Sequence, residues 1–404
     1  MSEKLMSTAA LHPPAPALAV EPLLPALRDA AVAVDRSRHL EPETVAAMKA
    51  NDVVRLAASP EIGGLDGTVL QIGRELEAVA AACASSAWVL WNHLSVFHLF
   101  AGTLGPGRTE QLRMMVGAGE TVCFGAGAGS GVRGAIEGDH VRLNGRAAFG
   151  SGSRYANWVG VAFLVVDGDG RRVEPLDLRF TIVRIDDPAV KIEETWDGSG
   201  VRASATDDIH YHDLCVPLAD CEPWFGANRA GTLREVPVIN HRYREDWVGL
   251  SDLWLAWMGV GLTTAALAEA VESVGSRRSI LGARMESHPT VQRNLGEAAA
   301  LIAAAAATAE AGCTQVDHRI ARGQVPTEDD YLRQMAQASA ALRQMAQAMD
   351  LLQRSLGGNG LRESQPFERR HRDFQPMPLH INAHPDRVDL RLGRHLLGEA
   401  QDAF

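Results

Sequence analysis

Residues 366–384, "PFERRHRDFQPMPLHINAH", concentrate side chains that could bind an anion or move a proton. This stretch contains three arginines and three histidines in a chain of formal net charge -11. A histidine exchanges its proton near neutral pH, which suits acid–base chemistry. His380 and His384 also have the four-residue spacing of paired metal ligands on a helix. No HExxH glutamate accompanies them and Pro385 follows at once, so we predict no metal site.

The arginines of the same stretch, Arg369, Arg370 and Arg372, are flanked by the acidic residues Glu368 and Asp373. This mixture favours interlocking ion pairs or the capture of a phosphate, because a nucleic-acid arm needs many cations and few acids. The acidic balance of the whole chain, with a pI near 5.7, also argues against nucleic acid or an anionic membrane as the main partner. We therefore expect a small-molecule substrate, no nucleic acid and no membrane.

Two further stretches carry candidate site residues. "FGSGSRYANW" (149–158) places Ser151 and Ser153 near Trp158 at a predicted strand end. These residues could present hydroxyls and an aromatic surface to a planar heteroaromatic ring, or they could form an ordinary β-turn. "WNHLSVFHLF" places His98 in a strongly apolar helix, where it is either a substrate contact or a hydrogen-bonded core histidine.

A glycine-rich stretch, "GAGAGSG" (125–131), invites a dinucleotide-loop interpretation. No frame within these seven residues satisfies G-x-G-x-x-G, and another predicted strand follows instead of a helix. A flexible loop between strands is therefore the better interpretation. Because the chain has no nicotinamide fingerprint, reducing equivalents for a redox reaction would have to come from outside.

The elements that position these residues follow an uncommon order. Apolar residues at three- and four-residue spacing predict helices over 21–118, and short β-rich runs separated by Gly/Asp turns predict a β-barrel domain over 119–230. Long amphipathic helices return in 231–404, as in an antiparallel bundle. Residues 1–20 are Pro/Ala-rich without a continuous apolar core, which predicts a disordered leader. Five scattered cysteines without a CxxC suit a reducing cytoplasm.

In this order, the pieces resemble the acyl-CoA dehydrogenase superfold. "WDGSGVRASATDDIHYHDLCVP" (196–217) is similar to the strand–turn–strand signature of that family, through Gly200, Arg202 and Asp208 among others. The resemblance implies an α+β, mostly α, fold: an N-terminal helical domain, a central antiparallel β-barrel and a C-terminal four-helix bundle.

Two chemistries compete within this superfold. True acyl-CoA dehydrogenases use a glutamate base, and most place it about eight residues after an Arg-Asp pair, but here no carboxylate lies between Asp373 and Asp386. "LRESQPFERRHRDFQPMPLH" instead resembles the reduced-flavin-dependent monooxygenases of two-component systems, in which an Arg-Asp pair is followed after six residues by a histidine. Arg372, Asp373 and His380 match that pattern, although His371 stands where the family has an aromatic residue.

The second resemblance implies that a separate NAD(P)H-dependent flavin reductase delivers reduced flavin, FMNH2 in the first place and FADH2 as the alternative. With O2 the flavin would give a C4a-hydroperoxide that hydroxylates an aromatic, phenolic or polyketide-like molecule. A dry pocket would be needed to prevent release of hydrogen peroxide. The same resemblance implies a homotetramer. An acyl-CoA dehydrogenase-type oxidoreductase and a catalytically silent ligand-binding bundle remain the alternatives.

Residue roles follow from the same resemblance. His380 would be the catalytic base that deprotonates a phenol, and His98 would be a second catalytic residue that contacts substrate. The cofactor-binding residues would be Ser151 near flavin N5, Trp158 beside the ring, Arg278 at the flavin phosphate, often across a subunit boundary, and Ser153 and Arg372.

Overall fold

A computed structural model describes residues 17–126, 131–224, 236–279 and 282–400. The predicted leader and the centre of the glycine-rich stretch lie largely outside these residues. Helices occupy both ends of the described chain and strands occupy its middle, in the order that the sequence predicts. The boundaries at 118/119 and 230/231 stay predictions.

The N-terminal helices are α1 (Leu24–Ser37), α2 (Pro42–Ala50), α3 (Val69–Ala82), α4 (Ala84–Leu104) and α5 (Thr109–Gly117). Helix α4 is buried along almost its whole length, because its sequence is apolar on every face. Helix α3 begins at Thr68, whose side chain caps the helix by accepting a hydrogen bond from the backbone N–H of Gln71. The apolar face of α3 then packs against a long C-terminal helix.

The strands are β1 (Val122–Phe124), β2 (Arg133–Glu137), β3 (His140–Gly150), β4 (Trp158–Val166), β5 (Leu178–Arg184), β6 (Val190–Glu193), β7 (Asp207–Pro217) and β8 (Glu222–Pro223). They form one sheet in the order β6-β7-β3-β2-β4-β5-β8, with β1 beside β4. In the described residues the sheet is not closed, so the predicted barrel is not confirmed.

The sheet is also not purely antiparallel, because β2 and β1 both pair with β4 in the parallel direction. The reason is the path of the chain after β3. Strand β4 reverses direction relative to β3 but lies on the far side of β2, so it runs the same way as β2. The connection, residues 151–157, contains the short 3-10 helix Ser153–Tyr155 and carries two of the predicted site residues.

The C-terminal helices are α6 (Trp247–Gly275), α7 (Pro289–Ala321), α8 (Glu328–Leu356), α9 (Pro366–Phe374), α10 (Pro376–Leu379) and α11 (Pro385–Leu396). Helix α6 lies at the centre and packs against α3, α4, α7, α8 and α9. Its Trp254 and Trp257 are fully buried. The packing is so close that a Cβ added at Gly73 of α3 would lie 2.3 Å from the Trp257 ring. Helices α6, α7 and α8 pack on one another; a four-helix bundle stays a prediction.

By length and composition alone, α6 and α7 would be long and apolar enough to cross a membrane. Core helices of soluble proteins pass the same test. In α6, 67% of the most apolar window is buried inside the protein. The apolar character of α6 is therefore used in packing against its helical neighbours.

The C-terminal segment is tied to the sheet through α9. The backbone N–H of Val201 donates to Asp373 Oδ1 at 2.7 Å. A Cβ on Gly200 would lie 2.0 Å from the carbonyl oxygen of Arg372, so only glycine allows this approach. This contact fixes α9, and through α9 the residues that follow it.

Candidate active site

His380 follows α10, and its ring lies against two tryptophans of α4. The ring centroids are 5.2 Å apart for His380 and Trp91 and 6.1 Å apart for His380 and Trp88, both in edge-to-face geometry. Pro376 and Pro378 both lie in the four-residue helix α10, which ends at Leu379, and α11 begins only at Pro385. His380 therefore lies in the bend between two helices, where its ring can turn toward α4.

Trp88 and Trp91 are held in place by their indole N–H groups. They lie three residues apart and so share one face of α4, with ring centroids 5.0 Å apart. Trp88 Nε1 donates to Ser151 Oγ at 3.0 Å, and Trp91 Nε1 donates to the carbonyl oxygen of Ser251 at 2.8 Å. Because both donors are satisfied and both residues are buried, the two rings form a rigid apolar wall beside His380.

Ser151 begins a row of three buried hydroxyl groups. Ser151 Oγ lies 3.0 Å from Thr206 Oγ1, which lies 2.7 Å from Ser204 Oγ. Three hydroxyl protons serve two hydrogen bonds within the row, so one proton remains for a further acceptor. If Ser204 donates to Thr206 and Thr206 to Ser151, then Ser151 can donate outward; in the opposite orientation Ser151 keeps a lone pair that can accept. Ser151 can therefore meet either a donor or an acceptor on a ligand.

The backbone beside Ser151 leaves an aromatic side chain exposed. Phe149 has φ of 57°, and its residue is 66% exposed. Gly150 follows it, and a Cβ there would lie 2.6 Å from Ile209 Cδ1, so a larger residue would have to displace the Ile209 side chain. An exposed aromatic group next to an adjustable hydroxyl fits a flat ring with hydrogen-bonding edges. The residues present thus fit a flavin.

Electrostatics favour a neutral His380. Burial, and then the nearby positive charge of Arg387, lower its pKa from 6.5 to about 4. Its Nδ1 is buried and has no hydrogen-bond partner in the described part of the chain. At neutral pH the imidazole is therefore uncharged and keeps one nitrogen available to a ligand.

His98 lies in a different place. Its Nε2 is 2.9 Å from the carbonyl oxygen of Glu245, and its ring packs against Tyr243 at 5.2 Å. Burial, and then Arg242, lower the pKa of His98 to about 3. The structure therefore brings His380 and Ser151 together around Trp88, and gives His98 other neighbours.

The other predicted flavin residues are engaged with protein groups. Ser153 Oγ donates to the carbonyl oxygen of Ala205 at 3.1 Å. Trp158 Nε1 donates to Glu120 at 2.6 Å, and the Arg184 guanidinium lies 5.3 Å from the Trp158 ring centroid. One face of that indole therefore carries a cation.

The two arginines predicted to bind the flavin, Arg278 and Arg372, differ in their exposure and in their partners. Arg372 bridges α9 to α1 through Asp35 at 2.9 Å, and pairs within α9 with Glu368 at 2.6 Å. Arg278 is exposed, and its guanidinium donates to the carbonyl oxygen of Gly282 at 3.0 Å. Arg278 can thus reach a ligand or another subunit, while Arg372 is held by two carboxylates.

No group of three or more His, Cys, Asp or Glu side chains in the described ranges could hold a metal ion. His384 stands at the N-terminus of α11, separated from His380 by a bend. No carboxylate stands in the bend between α9 and α11, and Asp373 at the end of α9 binds the Val201 backbone. A carboxylate base of the acyl-CoA dehydrogenase kind is therefore missing from this segment.

Sequence reasoning missed the roles of Trp88, Trp91 and Thr206. The tryptophans carried a usable signal, because two large aromatic residues three apart on a helix must share a face. Thr206 lies within the strand–turn–strand signature of 196–217, and its contact with Ser151 joins residues 55 positions apart. No local sequence pattern predicts such a contact.

Comparisons with known proteins show what the chain is similar to. Residues 253–385 match the family model described as acyl-CoA dehydrogenase, C-terminal domain. The chain is 28% identical over 366 residues to an indole-3-acetate monooxygenase from Pseudomonas putida, covering 90% of this chain and 89% of that protein. It is 26% identical over 398 residues to the FADH(2)-dependent resorcinol hydroxylase, oxygenase component, of Rhizobium sp. (strain MTP-10005), covering 92% and 91%.

Among solved structures, XiaF from Streptomyces sp., in complex with FADH2 and glycerol, superposes with a TM-score of 0.83 at 22% identity, covering 94% of each chain. Fold and site together thus define an acyl-CoA dehydrogenase-like protein that lacks a carboxylate base in the α9–α11 bend. The two relatives named above are a monooxygenase and the oxygenase component of a flavin-dependent hydroxylase, so the chain is similar to proteins of that kind.

Proposed function

We propose that this protein uses reduced flavin, delivered by a separate NAD(P)H-dependent reductase, and O2 to hydroxylate an aromatic or phenolic small molecule. The observation that carries the proposal is the enclosure of a neutral His380, with a free Nδ1, by Trp88 and Trp91 next to Ser151. An oxygenation site needs a dry pocket with few and well-placed polar groups. The apolar indole rings around His380 and the few polar groups beside them support the proposal on this point.

His380 acts as the base in the proposed reaction. Its neutral imidazole accepts the proton of a phenolic hydroxyl, and the resulting phenolate pushes electron density onto the ring carbon that is attacked. The phenolate in turn stabilises the imidazolium beside it, which offsets the low pKa of the free group. The indole walls exclude water from this charge pair.

Ser151 is the proposed contact to the central edge of the flavin, where the bound reduced cofactor activates O2. The hydroxyl row behind Ser151 lets it donate or accept as the bound ring requires. Arg278 is the proposed phosphate contact, and Trp158, Ser153 and Arg372 remain proposed cofactor neighbours. Since the hydroxyl of Ser153 and the guanidinium of Arg372 have protein partners, a contact from either would need a further lone pair or N–H.

We also propose that the C-terminal helices form a four-helix bundle and that four subunits assemble with these bundles at the centre of a homotetramer. The proposed location is the cytoplasm. FMNH2 is proposed first and FADH2 as the alternative. The resorcinol hydroxylase named above is FADH(2)-dependent and the XiaF structure contains FADH2, so FMN and FAD each need their own assay.

The deciding experiment supplies the purified protein with a generic flavin reductase, NADH, O2 and either FMN or FAD, together with phenol, resorcinol or indole. Hydroxylated product, formed only when reductant and O2 are both present, is the expected result. An acyl-CoA dehydrogenase would instead be reduced anaerobically by an acyl-CoA while holding oxidised flavin. That outcome would overturn the proposal.

A further inference from the structure

Asp252 is a fully buried carboxyl group near the middle of the apolar helix α6. It is 0% exposed, and no other acidic or basic residue stands between Trp247 and Ala268. Neither carboxyl oxygen has a hydrogen-bond partner within the described ranges. A buried polar group without a partner costs stability, so it needs an explanation.

A structural role does not explain why Asp252 is buried, because within the described residues its carboxyl group makes no hydrogen bond that would stabilise the fold. Asp246, at the start of the same helix, has a structural role: it caps α6 by accepting a hydrogen bond from the backbone N–H of Val248 at 2.8 Å. Asp317 likewise accepts two backbone hydrogen bonds at the start of α3. Asp252 makes no such bond, although a leucine at this position would pack without any polar requirement.

Helical geometry places Asp252 between two contacts of α6 with α8. Gly249 packs against Tyr331 and Gln334, and Gly259 packs against Leu342 and Met345. Asp252 is three residues from the first and seven from the second, so it lies on the same face of α6. Ser339 stands on α8 between those contacts, and its buried hydroxyl also lacks a partner in the described part of the chain.

The same region borders the site of His380. The carbonyl of Ser251, the residue before Asp252, accepts the indole N–H of Trp91, whose ring packs against His380. Arg387 of α11 acts on both groups: its charge lowers the pKa of His380 and opposes the upward shift at Asp252. Asp252 and His380 therefore belong to one neighbourhood enclosed by α4, α6, α8 and α11.

We infer that Asp252 is a specificity-determining residue that hydrogen-bonds a second hydroxyl group of the aromatic substrate, on the side of the ring away from the hydroxyl that meets His380. This inference rests on the proposed function. Burial, and then the charge of Asp246, raise the pKa of Asp252 well above its usual range, which favours the neutral acid over the carboxylate. A neutral carboxyl group can donate and accept at once, which matches a hydroxyl and disfavours a carboxylate-bearing ring.

The test uses two substrates that differ by one hydroxyl, resorcinol and phenol, and three variants. Asp252→Leu removes the polar group, Asp252→Asn keeps a donor and an acceptor, and Thr263→Val is the control, removing another buried polar group of α6 that only bonds within its own helix. Binding is followed by quenching of tryptophan fluorescence, and KM and kcat by product formation.

For Asp252→Leu we expect resorcinol to bind about 10- to 100-fold more weakly, with phenol affinity changed less than about threefold, because only resorcinol carries the second hydroxyl. Asp252→Asn keeps resorcinol binding within about tenfold, and Thr263→Val leaves both affinities unchanged. The ligand-free Asp252→Leu protein should melt about 2 °C or more above the parent, since an unsatisfied buried group is gone.

Equal weakening for resorcinol and phenol, or unchanged KM for both, would overturn the inference. A melting temperature lowered by Asp252→Leu would do so as well, because the carboxyl group would then have a structural role. If the parent protein hydroxylates neither compound, the proposed function itself fails, and that result is separate from an effect confined to the variants.

Discussion

His380 is the residue on which the proposed chemistry depends. Its ring is neutral at physiological pH because burial and Arg387 disfavour the imidazolium. Packed against Trp88 and Trp91, its buried Nδ1 is shielded from water and has no hydrogen-bond partner in the described part of the chain, so it remains for a ligand. These two properties, charge state and access, are those that a base for a buried phenol requires.

Replacing His380 by alanine should lower the hydroxylation rate by about 10²- to 10⁴-fold, because proton removal from the phenol loses its acceptor. Reduced flavin should still be oxidised by O2, so hydrogen peroxide replaces hydroxylated product. Product yield and peroxide are measured in the same reaction, and circular dichroism checks the fold. His384→Ala is the matched control. A His380→Ala protein with the parent's yield would remove His380 from the mechanism.

Helix α4 shows how one element can carry a site on one face and support the fold with another. Trp88 and Trp91 face the candidate site. His93 uses both ring nitrogens, with Nε2 at 2.9 Å from the carbonyl oxygen of Val54 and Nδ1 accepting from the N–H of Val122 at 3.2 Å. His98 is bound to the carbonyl of Glu245. The histidines thus tie α4 to its surroundings while the tryptophans form a wall.

The pH dependence of stability should reveal this structural use of His98. Its folded-state pKa of about 3 lies below the unfolded value of about 6.5. The unfolded chain therefore binds a proton that the folded chain does not, and the contribution of neutral His98 is present above pH 6.5 and lost as pH falls toward 3. Relative to His98→Gln, the parent should lose about 3 kcal/mol of unfolding free energy between pH 7 and pH 4.

Urea unfolding of both proteins at several pH values measures this difference. A gap that stays constant with pH would contradict the assignment of His98 as a buried neutral residue. If His98 were instead the substrate base, His98→Gln would lose hydroxylation at pH 7 while unfolding like the parent across the whole range.

At the scale of the whole molecule, apolar residues remain exposed near the site and along the C-terminal segment. Leu379 and Ile381, on either side of His380, are each 64% exposed. Leu390, Leu396 and Leu397 of the α11 region are exposed as well. Exposed apolar side chains close together favour contact with another chain. They support the proposed tetramer, in which Arg278 of one subunit would reach the flavin of another.

Arg278→Gln should weaken reduced-flavin binding by about tenfold or more, because a charge-assisted hydrogen bond to phosphate is lost. The oligomer should persist, with a mass four times the 43.4 kDa of one chain. Calorimetric titration under anaerobic conditions measures the affinity, and sedimentation measures the mass. Arg171→Gln, on a surface turn, is the control. Equal flavin affinity in both variants would dismiss Arg278 as a phosphate contact.

The sequence by itself determined the order of helices and strands, the resemblance to flavin-dependent monooxygenases and the identity of His380 as a candidate base. Periodicity and motif spacing are local properties, and short segments suffice to read them. The sequence also identified Gly200 and Asp373 as members of motifs, but it did not predict that these two residues lie against each other.

Only the tertiary structure decided which residues surround His380. The bond from Trp88 to Ser151 joins residues 63 apart, and the ion pair of Arg372 with Asp35 joins residues 337 apart. The open sheet with two parallel pairs, the separate place of His98 and the unpartnered carboxyl group of Asp252 also come from packing. Such contacts depend on how whole elements bury their apolar faces against one another, and no local stretch of sequence encodes that arrangement.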